Sequence, residues 1–213
     1  MKISNILLSF LLLLALGLFS LTKISPIFTL SDSEVEASLL NIENNCDTIS
    51  DCGLLPGDIL LRRYSTNRTR LFENYARPYF THSALYYGNG LVAEAIGNDP
   101  DDTKEIVIRN ISETDWTSDR IETWIIIRPK IPEEKIRLIC DRTKNIANDD
   151  SYTFGIKQQG NKRYTCSSLI FDQLIDQNII NKNDVPEIIT PDFIFRYAST
   201  HKELFNIVGF KKQ

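Results

Sequence analysis

The sequence predicts an α+β domain in which an antiparallel sheet packs against helices. Residues 84–87 and 91–95 form two strand-like stretches separated by Gly-Asn-Gly at 88–90, a pattern typical of a tight hairpin. Two further strand-like stretches follow, "EIVIRN" and "IETWIIIRP", and later segments show helical spacing of apolar residues. Neighbouring strands followed by helices indicate this fold class.

The first 24 residues are predicted to be an export segment rather than part of the folded body. An uncharged apolar run from Ile6 to Leu21 follows Lys2, which is typical of the core of a secretory signal. The run also reaches the short limit for a membrane span, and no clean small-residue cleavage site follows it. A cleaved signal peptide and a retained N-terminal anchor therefore both remain open.

The rest of the chain divides into a predicted linker and one domain. Residues 31–51 are acidic and rich in Asn and Ser, so we expect a polar linker over 25–53 and a single domain over 54–213. Without Lys2 and Lys23 the chain keeps 22 basic residues against 28 acidic ones, a net charge of −6. This surplus of acids argues against a nucleic-acid partner.

The remaining elements follow from local patterns. Pro56 and Gly57 predict a turn before a strand that begins at Ile59, and residues 65–77 show helical spacing. The later elements are an amphipathic helix over 132–148, a helix starting at or near Cys166, a helix capped by Thr190 with Pro191 in first position, and a last strand at "LFNIVGF".

The four cysteines have different surroundings. Cys46 and Cys52 have five residues between them in a polar stretch, and they form a candidate disulfide in an oxidising compartment. Cys140 lies on the apolar face of a predicted helix, where a buried small hydrophobe is the favoured interpretation. Cys166 lies at a predicted helix start, where free N–H groups and the helix dipole lower the pKa of a thiol.

His82 and Glu94 are the residues that the spacing brings towards each other. The chain has two histidines, and His201 lies in a polar helix end where a capping or solvated role is favoured. His82 stands at the head of the first hairpin strand, and Glu94 is a lone acid in an otherwise apolar strand, where burial requires a partner. Counted from the turn, the two are offset by about two residues. Cysteine–histidine–glutamate catalysis and a purely structural role both fit these residues alone.

Four pieces of the sequence, taken in order, resemble the YiiX/YaeF-type permuted papain-like enzymes of the NlpC superfamily. Those families have a Gly-Asp strand, a histidine at the start of the next strand, a glutamate on the strand after it, and an aromatic-x-Cys-Ser helix start. The order of histidine before cysteine is the mark of the permutation. The matching residues here are Gly57 and Asp58, His82, Glu94, and Tyr164 with Cys166 and Ser167.

The resemblance implies a circularly permuted papain-like (NlpC-type) fold and a role for each matching residue. It makes Cys166 the nucleophile, His82 the general base and Glu94 the acid that orients the imidazole. Tyr164 is expected beside the oxyanion site, together with the backbone N–H of Cys166. For Asp58, a place next to the site and a turn-stabilising role are both open.

The implied activity is that of an exported cysteine hydrolase that cleaves an amide bond through a thioester. Its expected partner is a peptide, a cell-wall peptide or an acyl-amide, free or lipid-linked, with a membrane tether through residues 6–21 in the anchored case. No cofactor is expected, and no metal-ligand spacing or phosphate-binding glycine loop is visible.

Two other functions remain open at this point. One is a thiol acyltransferase or lipid-ester hydrolase on a related permuted fold, which the apolar N-terminus favours. Those enzymes carry a second histidine where this chain has Glu94, which disfavours this interpretation. The other is a catalytically inactive binding domain, which has no chemical need for an intact cysteine, histidine and glutamate.

Overall fold

The computed structural model describes residues 30–40, 42, 46–64, 78–96, 106–149, 152–155 and 162–212. The apolar run at 6–21 and the helical spacing at 65–77 lie outside these described residues. Within the described ranges, none of the helices combines the length and the apolar character that a membrane crossing requires.

The described strands form one antiparallel sheet at the centre of the domain and a short parallel pair outside it. They are β1 (Ile59–Tyr64), β2 (His82–Gly88), β3 (Leu91–Ala95), β4 (Ile106–Asn110), β5 (Ile121–Pro129), β6 (Thr153–Phe154), β7 (Arg163–Tyr164) and β8 (Phe205–Lys212). The central sheet has six strands in the order β4-β3-β2-β1-β5-β8, and β6 and β7 form the parallel pair. The predicted α+β class with an antiparallel sheet is therefore confirmed.

Four α-helices lie within the described residues. They are α1 (Asp32–Leu39), α2 (Glu133–Asn148), α3 (Cys166–Asp176) and α4 (Pro191–Thr200). The predicted start of α4 is confirmed, since the Thr190 side chain accepts the N–H of Phe193 and Pro191 occupies the first turn. At its other end His201 caps the helix and stacks on Tyr197, with ring centroids 3.9 Å apart.

The central sheet is buried on both faces, so alternate residues of one strand enter different cores. In β1, Ile59 and Leu61 point towards the four helices, while Leu60 points to the opposite face. The helix-side core includes Leu85, Ile125, Phe171, Ile194 and Phe195. The opposite core includes Ala84, Val92, Trp116, Trp124 and Ile126.

The described residues between 30 and 52 differ from the expected polar linker, because many of them pack against the domain. Val35 and Leu39, one turn apart on α1, are buried in the helix-side core. The backbone N–H of Leu30 donates to the buried Asp192 carboxylate at 3.1 Å. Two apolar residues in a short acidic helix were too weak a pattern to reveal this packing in the sequence.

The structure joins Cys46 and Cys52 in a disulfide with their Cα atoms 5.6 Å apart. Cys52 is buried and packs closely on Gly209 of β8, where a Cβ would lie 2.6 Å from the Cys52 sulfur. The disulfide loop therefore covers one end of the sheet, and only glycine at position 209 leaves room for it.

Asp58 stabilises the turn before β1, which is one of the two roles that the sequence left open for it. Its fully buried carboxylate accepts two hydrogen bonds from Arg128, one from Nε at 2.8 Å and one from Nη2 at 2.7 Å. It also accepts the backbone N–H of Leu55 at 2.8 Å, which closes the Pro-Gly turn. The β1 residue that pairs with His82 is Arg62. Asp58 lies four residues before Arg62 in extended chain, so the two are separated by about 13 Å.

Replacing Asp58 by alanine is expected to lower the free energy of unfolding by about 3 kcal/mol, because Arg128 and the Leu55 N–H lose a buried acceptor. The measurement is urea unfolding followed by circular dichroism. Asp119→Ala, at an exposed position, is the matched control and should change stability by less than about 0.5 kcal/mol. Equal stability of the two variants would contradict this role for Asp58.

Candidate active site

Cys166 is the first residue of α3, and the start of this helix is firmly held. The Thr165 side chain accepts the N–H of Ser168 at 3.1 Å, and the Ser168 hydroxyl accepts the N–H of Thr165 at 2.8 Å. This reciprocal capping box uses the third N–H of the helix. The N–H groups of Cys166 and Ser167 have no acceptor within the helix, so they are available to an anionic group beside the thiol.

The first turn of α3 packs against β2 through small polar side chains. Ser83 and Ser167 are both fully buried, and their hydroxyl oxygens lie 3.3 Å apart. The Cys166 sulfur lies 3.9 Å from the Ser167 hydroxyl and is only partly buried. The close approach brings the thiol to the end of β2, where His82 is the first strand residue.

The hairpin register brings Glu94 to His82. Leu85 pairs with Ala93 and Tyr86 with Val92, so Glu94 lies opposite Ala84 and on the same sheet face as His82, two positions away. The imidazole Nε2 and the Glu94 Oε1 are 3.0 Å apart. The offset of two residues expected from the turn is the offset in the structure.

Glu94 is fully buried and binds three different donors. Its Oε1 also accepts the indole N–H of Trp116 at 2.7 Å, and its Oε2 accepts Arg109 Nε at 3.2 Å. Burial opposes ionisation, but the hydrogen bond and charge of His82, the Arg62 charge and the Trp116 hydrogen bond outweigh it. The pKa of Glu94 falls to about 2, so the group is a carboxylate at neutral pH.

The Glu94 contact determines which imidazole nitrogen faces the thiol. A carboxylate only accepts hydrogen bonds, so the Nε2 of His82 carries a proton and Nδ1 is left to exchange protons with Cys166. Burial and the Arg62 charge lower the pKa of His82. Attraction to Cys166 and hydrogen bonds with Cys166 and Glu94 raise this pKa by a larger amount. The net result is a pKa above the ordinary histidine value.

The same contacts favour the thiolate form of Cys166. Burial raises the pKa of the thiol, but the His82 charge, a His82 hydrogen bond and hydrogen bonds from Ser83 lower it to about 6. The other free cysteine behaves in the opposite way, because burial raises the pKa of Cys140 to about 11. At pH 7 the geometry therefore supports a thiolate–imidazolium pair at Cys166 and His82 only.

Among the residues expected in the site, the structure brings Cys166, His82 and Glu94 together. No family model and no curated protein matches this chain. Tyr164 lies two residues before the thiol, and its buried ring packs with Ile146 and Leu169 in a small cluster under the start of α3. Burial raises the pKa of Tyr164 to about 12, so its phenol stays protonated at neutral pH.

Four residues in or beside this site were not identified from the sequence. Trp116 and Arg109 fix the Glu94 carboxylate, Ser83 contacts the thiol, and Arg62 lies opposite His82 in the sheet. The indole N–H of Trp116 was the one signal available in the sequence, because such a donor is usually hydrogen-bonded when it is buried. The other three depend on contacts between strands, which local patterns do not reveal.

Proposed function

We propose that this protein is a cysteine hydrolase that cleaves an amide bond through a thioester at Cys166. The observation that carries the proposal is the 3.0 Å contact between His82 and a fully buried Glu94, with the Cys166 thiol hydrogen-bonded to the same imidazole. This series of nucleophile, base and orienting acid matches the requirements of covalent catalysis. A binding domain has no chemical need for a lowered thiol pKa.

The first half of the reaction forms the thioester. The Cys166 thiolate attacks the amide carbonyl carbon, and the C–S bond forms while the carbonyl oxygen becomes negative. The free N–H groups at the start of α3 are the donors available to that oxygen. The C–N bond then breaks, and the leaving nitrogen takes the proton from Nδ1 of His82.

The second half releases the acid and restores the enzyme. Neutral His82 removes a proton from a water molecule, and the resulting hydroxide attacks the thioester carbon. The C–S bond breaks, so the carboxylic acid leaves and the thiolate forms again beside the imidazolium. Glu94 keeps its negative charge throughout and holds the Nε2 proton of His82, so it orients the base without exchanging protons.

We further propose that the domain has a circularly permuted papain-like fold of the YiiX/YaeF type. The order β1, then His82 on β2, then Glu94 on β3, and finally the cysteine helix α3 supports this assignment. We also propose that the protein is exported, either secreted or anchored by residues 6–21. The Cys46–Cys52 disulfide supports an oxidising compartment.

The test is a panel of fluorogenic peptidyl amides, cell-wall peptides and acyl-amides incubated with the wild type, Cys166→Ala and Cys140→Ala. We expect at least one substrate to be cleaved by the wild type and by Cys140→Ala. Cys166→Ala should lose about 10³-fold or more of that rate. Acyl adducts on Cys166 in intact mass spectra would identify the thioester, whereas cleavage that survives in Cys166→Ala would overturn the proposal.

A further inference from the structure

Arg62 is a buried cation beside the proposed reaction centre. It is the β1 residue directly opposite His82, so its side chain starts on the sheet face that carries His82 and Glu94. Only 7% of Arg62 is exposed. Its Nε and Nη1 are buried, and neither has a hydrogen-bond partner within the part of the chain that the structure describes.

Aromatic rings hold the guanidinium in place. Its central carbon lies 4.7 Å from the centroid of the Trp116 ring and 4.9 Å from that of Tyr64. Such cation–π contacts act on the flat face of the group and stabilise its charge. They do not satisfy the N–H donors of Nε and Nη1, and a buried donor without an acceptor destabilises the folded protein.

Glu94, the carboxylate on the same sheet face, is already fully engaged. Its two oxygens bind His82, Trp116 and Arg109, and neither Nε nor Nη1 of Arg62 is hydrogen-bonded to it. Arg62 nevertheless lies next to the reacting groups, because it pairs with His82 across the strands, and its positive charge lowers the pKa of both Glu94 and His82. The structure thus has a spare cation with spare donors next to the base.

Solvent lies close to this group. Tyr64, whose ring contacts the guanidinium, is partly exposed, and the Arg109 and His82 side chains are 27% and 13% exposed. A ligand that reaches His82 is therefore next to Arg62, the residue that pairs with His82 in the sheet. Guanidinium groups pair best with planar oxyanions, because their N–H donors match the two oxygens of a carboxylate.

We propose that Arg62 binds a carboxylate of the substrate, so that the enzyme acts on amides with a free carboxylate close to the scissile bond. This inference rests on the proposed function of Cys166 and His82. Arg62 would then be the residue that selects the substrate, and a neutral analogue would leave its buried donors unpaired.

Alkylation of Cys166 by two small reagents tests this without knowledge of the natural substrate. Iodoacetate carries a carboxylate and iodoacetamide is its neutral counterpart, so the ratio of their rate constants reports recognition of the negative charge. We expect Arg62→Gln to lower this ratio about tenfold, which corresponds to the loss of one charge-assisted interaction. Arg62→Lys should retain part of the preference.

Arg63→Gln is the matched control, since it removes the same charge from the next residue, which pairs with Asp32 and Glu122 instead. It should leave the ratio unchanged. If Arg62→Gln also leaves it unchanged while Cys166 still reacts as an activated thiol, carboxylate binding is overturned and the proposed function stands. If Cys166 reacts no faster than Cys140 with either reagent, both proposals fail.

A second measurement uses the wild type alone, in case Arg62→Gln does not fold. N-acetylglycine and N-acetylglycinamide differ only in the carboxylate, and each is tested as a protectant of Cys166 against iodoacetamide. We expect N-acetylglycine to slow labelling at millimolar concentration and the amide to have little effect. Equal protection by both compounds would contradict the role of Arg62.

Discussion

Replacing His82 by alanine is expected to remove about 10²- to 10⁴-fold of amide hydrolysis, because the variant has no group to protonate the leaving nitrogen. The thiol also loses the charge and the hydrogen bond that lower its pKa to about 6 in the wild type. The midpoint of its pH–reactivity curve should therefore rise to about 8.5 or higher. Turnover and iodoacetamide labelling of Cys166 measure the two effects.

At pH 6 the labelling rate of His82→Ala should fall by about tenfold. The fall is smaller than the change in thiolate fraction, because a more basic thiolate is also a better nucleophile. His201→Ala is the matched control, since His201 caps α4 and stacks on Tyr197. A midpoint that stays near 6 in His82→Ala would show that another group activates the thiol.

Replacing Glu94 by glutamine is expected to weaken both the site and the fold. In the wild type the two oxygens of Glu94 accept hydrogen bonds from three donors. The glutamine amide has one oxygen, and its NH₂ group would face one of those donors. Loss of the buried negative charge leaves Arg109 and the imidazolium uncompensated. We expect a loss of about 3 kcal/mol in unfolding free energy and about 10²- to 10⁴-fold in turnover.

The turnover loss should come with a shift in pH dependence. Without the carboxylate the imidazolium form of His82 is less favoured, so the Cys166 midpoint should move upward from about 6. Glu113→Gln makes the same change at an exposed position and should alter neither quantity. If Glu94→Gln lowers stability but keeps wild-type turnover and midpoint, Glu94 is a structural residue only.

Local sequence patterns predicted the parts of the candidate site that lie within one helix or one hairpin. The Gly-Asn-Gly turn determined the hairpin, and the hairpin determined the two-residue offset between His82 and Glu94. The apolar spacing after Cys166 predicted a helix start there, and in the structure Thr165 and Ser168 form the capping box at that start. These features depend on residues close together in the chain.

The contacts that complete the site join distant parts of the chain and were not predictable in this way. Trp116 reaches Glu94 from a 3-10 helix 22 residues further along, and Arg62 meets His82 only because β1 lies between β2 and β5. The Asp58–Arg128 pair spans 70 residues. Sheet order is a property of the whole fold, and strand patterns alone do not specify it.

The most direct test of the central claim is the pH dependence of Cys166 alkylation in the wild type, with Cys140 as the internal reference. Peptide mapping after brief iodoacetamide treatment between pH 4 and pH 10 gives both rates in one experiment. The account predicts that Cys166 labelling rises with a midpoint near pH 6 and is lost below it, while Cys140 labelling stays low at neutral pH and begins to rise only towards pH 10. A Cys166 midpoint at about 8.5 or above, as for an ordinary thiol, would contradict the proposed nucleophile.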